Sequence, residues 1–237
     1  MMFLQSNINP TKKENRSMNL HEHGNRINDF NKIVFERRAI KKYDTSVKIS
    51  RNEMKDILTK ATKAPSSYNL QSWRFLVIES EEAKSKLLPL AIFNGQQYNE
   101  QQIVTSSAVI AIFGDLEHVA SAPEIFNAEV KQGSMTESVK EYILEAINIH
   151  FSNSPDHFRK DVALTDGGLV AMQLMLVARS YGYDTCAMGG YDKENIAEIF
   201  GLDKERYVSV MLVSIGKADS DGRPSTRKPI ADVAEWK

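Results

Sequence analysis

Ala64-Pro65-Ser66-Ser67-Tyr68-Asn69-Leu70-Gln71-Ser72-Trp73-Arg74-Phe75-Leu76-Val77-Ile78 joins the end of a helix to a buried strand through a loop of hydroxyl and amide side chains. Pro65 stops the helix before it, because a proline pushes the residue ahead of it out of the helical region. Upstream, Ser50 with Glu53 three residues on is a capping-box pattern, and Met54, Ile57, Leu58 and Ala61 recur at helical spacing. Downstream, Trp73 to Ile78 has the length and composition of a buried strand. The loop offers donors and acceptors suited to a phosphate and the edge of a heteroaromatic ring, and turn formers alone would give the same composition.

Outward from the loop, Ile27, Phe30, Ile33 and Val34 give a first helix a buried stripe running up to Phe35 and Arg37. Glu81 to Ile92 reads as a helix, Asn94 to Gln102 as a polar connection and Ala108 to Phe113 as a second strand. Between Pro123 and Arg159 only a helix from about Met135 to Phe151 is legible, closed by the polar break Asn153-Ser154-Pro155. Val162 to Tyr181 is a helix apolar nearly all round. Such a helix belongs in a core, and a domain of this size has limited means to cover it, so a large interface with a second copy is expected. Gly182 ends it, Asp184 to Met188 is a third strand, a helix runs from about Asp192 to Phe200, and Tyr207 to Ile215 is the fourth strand. Strands separated by helices predict a layered domain of α and β structure. The expected organisation is a flexible arm at residues 1–26 and a single domain at 27–237. His21 and His23, two apart on that polar arm, read as solvated rather than as a metal pair.

The 237 residues carry 30 Lys and Arg against 31 Asp and Glu, a net charge of −1, with 42% hydrophobic content. No overall positive field is available to hold nucleic acid or an anionic bilayer, so neither is expected as a partner. The single Cys186 excludes an intrachain disulfide and a cysteine-rich zinc site, and points to a reducing cytoplasm. No uninterrupted apolar run reaches the roughly 18 to 20 residues of a membrane span; the best, Leu169 to Ala178, is broken by Gln173. HExxH, GxSxG and P-loop patterns are missing, and His118, His150 and His157 lack ligand spacing. No metal site is expected, and chemistry would have to come from a bound cofactor.

Two further stretches exceed plain packing. Arg37-Arg38-Ala39-Ile40-Lys41-Lys42-Tyr43-Asp44 places four cations within six residues at the expected end of the first helix. Helix-end electrostatics accounts for part of this, and convergence on a phosphate is the other reading. Ala187-Met188-Gly189-Gly190-Tyr191-Asp192 puts a glycine pair after a strand, where backbone can approach a flat ligand; the same pair is common in ordinary strand-to-helix turns.

Taken in order, these stretches resemble the nitroreductase family of flavin enzymes. The family's Arg-Arg-Ser-x-Arg/Lys-x-Phe run stands here as Arg37 to Tyr43, and its Pro-Ser-Ser-x-Asn-x-Gln-Pro-Trp loop as Pro65 to Trp73. Its strand end and C-terminal basic tail stand as Met188 to Tyr191 and Gly216 to Pro229. The likeness covers about residues 30 to 232. It implies an α+β fold, with a central, mainly antiparallel sheet of about four to five strands flanked by helices, in an intertwined homodimer holding FMN at two interface sites. By this resemblance Arg37, Arg38 and Lys41 bind the phosphate and the pyrimidine side of the flavin. Ser66, Ser67 and Asn69 come from the other subunit, with Gln71 beside them. Asn99 and Gln102 contact the ring, Met188, Gly189 and Gly190 approach N5, and Arg227 returns to the phosphate.

The activity implied is hydride transfer from NAD(P)H to flavin N5, then two-electron delivery to a nitroaromatic, quinone or related acceptor by a ping-pong mechanism. No side chain is then catalytic, with Lys41 offering electrostatic support to the reduced ring. Phe126, Met135 and Tyr142, on the long excursion between the second and third strands, are the candidates for the acceptor pocket. Flavin reduction, flavin breakdown and non-catalytic flavin binding are the rival functions. Three positions depart from the pattern: Ala39 replaces a serine and removes a hydroxyl contact, Ser72 replaces a proline and is expected to loosen a rigid turn, and Gly189 stands where some members carry Glu.

Overall fold

The computed structural model describes residues 26–92, 94–155 and 157–237. Apart from Arg26, the expected N-terminal arm, with His21 and His23, lies outside the described residues.

Four strands, β1 (Trp73–Ile78), β2 (Ala108–Asp115), β3 (Asp184–Met188) and β4 (Tyr207–Gly216), form one sheet in the order β1-β2-β4-β3, with every neighbouring pair antiparallel. Around it run α1 (Phe30–Glu36), α2 (Arg51–Ala61), α3 (Glu81–Leu87), α4 (Glu100–Thr105), α5 (Ala122–Lys131), α6 (Glu137–Ser152), α7 (Phe158–Ser180) and α8 (Ile196–Ile199). This is the α+β arrangement that the resemblance implies.

Successive side chains of a strand point to opposite faces, so a strand covered on both sides loses its polar alternation. β2 is such a strand. Ile110 and Ile112 pack with Val213 and Ile215 beneath α2 and α7. Val109, Ala111 and Phe113 pack on the other face with Leu212, Met188, Leu87 and Ile196. Each of these fully buried large side chains contributes about 1.5–3 kcal/mol. A third cluster, Leu70, Ala122, Phe126, Ile147 and Phe151, binds α5 and α6 to the loop after α2.

Local signals explain where the helices stop and start. Ser50 Oγ accepts from the Glu53 amide at 3.2 Å, and Met54, Ile57 and Ala61 face inward, as expected for α2. α1 begins later than expected because Asp29 caps it, accepting from the Asn31 and Lys32 amides. Only Ile33 of its stripe is buried, while Phe30 and Phe35 are 66% and 73% exposed. The helix expected to reach Ile92 ends at Leu87 and passes into a 3-10 turn holding Pro89. α4 and α5 were not legible: α4 emerges from the Gln-rich stretch, and Pro123 stands in the first turn of α5, where its missing N–H costs nothing. Asp192 caps a turn rather than a long helix, and α8 is four residues.

α7 runs farther than its longest uninterrupted apolar stretch and by length and composition alone could cross a membrane. Here half of its most apolar window is buried, against α2 and the sheet. It lies so close that a Cβ on Gly167 would sit 2.5 Å from Val210 Cγ2, and one on Gly114 would sit 2.7 Å from Ala163 Cβ. Gly167→Ala gains about 1 kcal/mol of helix propensity but overpacks the contact by about 1–3 kcal/mol. A net loss and a melting temperature lower by several degrees are expected, with recovery in Gly167→Ala/Val210→Ala. An unchanged or higher melting temperature for the single variant would contradict this packing.

His118 is 1% exposed; its Nδ1 lies 2.6 Å from the Asp115 carbonyl and its Nε2 has no partner. Burial holds the imidazole below its ordinary value, against the pull of Asp115 and Asp166. As pH falls through about 6.5 the unfolded chain takes up this proton before the folded one, so stability declines toward acid. Melting curves between pH 7.5 and 5.5 should show a shallower decline in His118→Asn than in wild type; equal slopes would remove His118 from the account.

Candidate functional site

The cationic run begins at a helix end and continues beyond it. α1 stops at Glu36, and Arg38 Nη1 donates to the carbonyls of Phe35 at 2.6 Å and Arg37 at 2.9 Å, closing the helix terminus. From Arg37 the chain is extended along the sheet edge: Ala39 bridges Thr185 in parallel, and the Ile40 amide donates to the Thr185 carbonyl at 3.1 Å. Ile40 and Tyr43 are 4% and 1% exposed. Tyr43 Oη meets Ser214 Oγ at 2.8 Å, and burial pushes its phenol far above the ordinary range. Two buried anchors thus hold the segment while its cations face out.

They face a cavity of about 720 Å³ lined by Arg37, Arg38, Lys41, Lys42, Arg223 and Arg227, with Asp221 as the acid in its wall. Lys42 is engaged by Asp219 at 2.6 Å. Arg227 Nη1 donates to Ser225 Oγ and the Thr226 carbonyl, both at 2.8 Å. The expected phosphate residues Arg37, Arg38, Lys41 and Arg227 therefore share one cleft.

A second group gathers where β3 ends. Asn99 Nδ2 donates to the Gly190 carbonyl at 2.9 Å, and Gln102 Nε2 approaches Asn99 Oδ1 at 3.4 Å. Met188 and Gln102 are 3% exposed, and it is the neighbouring Gln101 that lines the cleft. A Cβ on Gly189 would meet nothing within 4 Å, so packing within the chain does not demand a glycine there. Cys186 is buried in β3, and burial pushes its thiol up, against the pull of Lys41 and Arg37, which disfavours the reactive thiolate.

Ser66, Ser67, Asn69 and Gln71 do not line the cationic cleft. Their loop holds three non-glycine residues in the left-handed region, Tyr68 at φ 50°, Asn69 at 56° and Gln71 at 50°, a conformation costing about 1–2 kcal/mol for an ordinary side chain. Within the loop the Gln71 amide donates to Ser66 Oγ at 3.0 Å; Asn69 Nδ2 reaches Glu129 Oε1 at 2.9 Å. The Ser67 amide and the Ser72 hydroxyl donate to the two oxygens of Asp166, at 3.1 and 2.7 Å. Ser72 is fully buried, so the turn expected to be loosened there is instead tied down. Of the acceptor-pocket candidates, Phe126 lies in the third core cluster, Met135 packs against it, and Tyr142 is 73% exposed.

The nitroreductase family model matches residues 34–217. This chain belongs to the nitroreductase family. It is 54% identical over 212 residues to YdgI of Bacillus subtilis (strain 168), provisionally named an NAD(P)H nitroreductase, across 90% of this chain and 99% of that protein. A protein of Exiguobacterium sibiricum 255-15, provisionally called a nitroreductase and crystallised in complex with FMN, shares 52% identity and a TM-score of 0.85, with 90% and 99% of the two chains covered. A CLA biosynthesis enone reductase of Lactiplantibacillus plantarum is 36% identical over 200 residues, 84% of this chain and 90% of that protein.

Asp166 and Gln101 of this nitroreductase were not singled out in the sequence, and Arg223 was read only as part of the basic tail. Asp166 left a readable trace, a carboxylate well inside the apolar part of a helix, where an unpaired charge would be costly. Gln101 left none, since a polar side chain on a Gln-rich stretch looks like solvated surface.

Proposed function

We propose that this nitroreductase is an FMN-dependent oxidoreductase that oxidises NAD(P)H and passes two electrons to a nitroaromatic, quinone or related acceptor, the two substrates reacting in turn by a ping-pong mechanism. The observation that carries the reading is the cleft in which Arg37, Arg38, Lys41 and Arg227 converge. Guanidinium forks match phosphate oxygens, and the cavity falls within the volume range of small-molecule and cofactor sites. FMN, when bound, would supply the two-electron chemistry that no side chain here offers. Arg37, Arg38 and Arg227 are assigned to the phosphate, and Lys41 to the pyrimidine side, where its charge would favour the reduced, more anionic ring. Asn99 holds the Gly190 carbonyl, so the backbone at Gly189 and Gly190 is fixed beside the open space.

The site is proposed to need two chains. Ser66, Ser67, Asn69 and Gln71 do not line the cleft of their own chain, which suits their delivery by a partner copy. Leu169 and Met172 of α7, Phe30 and Phe35 of α1, and Trp236 at 82% exposure leave apolar surface for that partner. Residues 27–237 are proposed as one FMN-binding domain working in the cytoplasm, where Cys186 stays a free thiol. The enone reductase relative supports extending the acceptor class to activated carbon–carbon double bonds, and Tyr142 is the acceptor-pocket candidate with an available ring.

Anaerobic titration tests the reading. The purified protein should bind FMN, lose the yellow oxidised spectrum on stoichiometric NADH or NADPH, and regain it with a nitroaromatic or quinone. Riboflavin, which lacks the phosphate, should bind at least about 100-fold more weakly, the scale of two charge-assisted hydrogen bonds. Bound FMN that NAD(P)H leaves yellow would favour a non-catalytic flavoprotein, and protein that takes up no FMN would overturn the flavin assignment.

A further inference from the structure

We infer that Asp166 is a positioning residue, one buried carboxylate that fixes the 66–72 loop by gripping both of its ends. Asp166 is 2% exposed on α7 and accepts from the Ser67 amide with Oδ1 and from the Ser72 hydroxyl with Oδ2. Ser67 opens the loop and Ser72, fully buried, closes it before β1. The Ser72 carbonyl in turn accepts from the Asp115 amide at 2.7 Å, which ties the same residue to the end of β2.

The span between the two grips is where the backbone needs help. Tyr68, Asn69 and Gln71 are all left-handed, and such conformations persist only where the surroundings over-determine them. Inside the span, Leu70 is 2% exposed and pins the middle, while the contacts of Tyr68 to His150 and of Asn69 to Glu129 lie at the surface. The carboxylate cannot drift, since the next residue, Gly167, is where α7 presses against Val210. A carboxylate on the buried side of an apolar helix is costly to bury, and each of its oxygens accepts a bond from this loop. Its effect on chemistry is indirect: it sets where Asn69 and Gln71 are presented. That consequence rests on the flavin reading above; the grip on the loop does not.

Wild type, Ser72→Ala, Asp166→Asn and the double variant should be compared by hydrogen exchange and by FMN titration. Ser72→Ala should speed exchange across residues 66–72 while residues 109–112 in the middle of β2 stay as slow as in wild type. Its FMN dissociation constant should rise about tenfold, the scale of one hydrogen bond to a charged group. Asp166→Asn should do the same, and the double variant should add no more than about twofold, because the two side chains act through one contact. Loop exchange unchanged in Ser72→Ala would overturn the proposal, as would independent, multiplicative effects of the two substitutions. Should Asp166→Asn fail to fold, Ser72→Ala, which removes a single oxygen, decides the matter alone. Wild-type protein that binds no FMN would sink the flavin reading, and loop exchange would still decide the positioning role.

Discussion

The close approach of α7 to the sheet is the constraint on which the rest depends. Gly114 and Gly167 leave no room for a Cβ between helix and strands, so α7 has one seat. From that seat Asp166 reaches the loop before β1, Ala171 and Leu174 complete the core, and Arg179 meets Asp184 of β3 at 2.7 Å. Leu169 and Met172 are left on the far side, 43% and 41% exposed. One helix therefore sets the loop, closes the core and leaves apolar side chains exposed on its far side. Interiors are packed tightly enough that shifting such an element by an ångström would be felt at each of these places.

The cations are organised by a different device. Arg37 to Lys42 are held as an extended edge segment by Ile40 and Tyr43, buried residues that alternate with charged ones and point them into a common cleft. Arg223 and Arg227 come back from the far end of the chain to the same place. A net charge of −1 thus coexists with a strongly positive cavity, because Arg37, Arg38, Lys41, Lys42, Arg223 and Arg227 line one cleft with Asp221 as the acid in its wall. Local fields of this kind, not net charge, decide what a cleft of a few hundred cubic ångströms will hold.

What was legible in the sequence follows from how local each signal is. Strand bounds at Trp73–Ile78 and Asp184–Met188 and the Ser50 cap depend on neighbouring residues alone, and the structure has them as read. α1 misled because its apolar stripe implied burial that the single chain does not provide for Phe30 and Phe35. α5 was hidden because Pro123 reads as a breaker, and only its position in a first turn makes it harmless. The role of Ser72 could not be seen at all: its partner lies 94 residues away, and in isolation a serine replacing a proline reads as lost rigidity. The resemblance brought Arg37, Arg38, Lys41 and Arg227 together and all four line one cleft, while the fact that Ser66, Ser67, Asn69 and Gln71 do not line it within a chain is visible only in three dimensions.

The central claim is that each site combines the cations of one chain with the loop of another. Hybrid dimers test it most directly. Chains carrying Arg37→Ala and Arg227→Ala, co-expressed with chains carrying Asn69→Ala and Gln71→Ala, should assemble into hybrids with one undamaged site and one doubly damaged site. Isolated hybrids are predicted to bind one FMN per dimer with wild-type affinity, although neither parent dimer does. Hybrids that bind FMN no better than their parents would contradict a shared site and return the whole of it to a single chain.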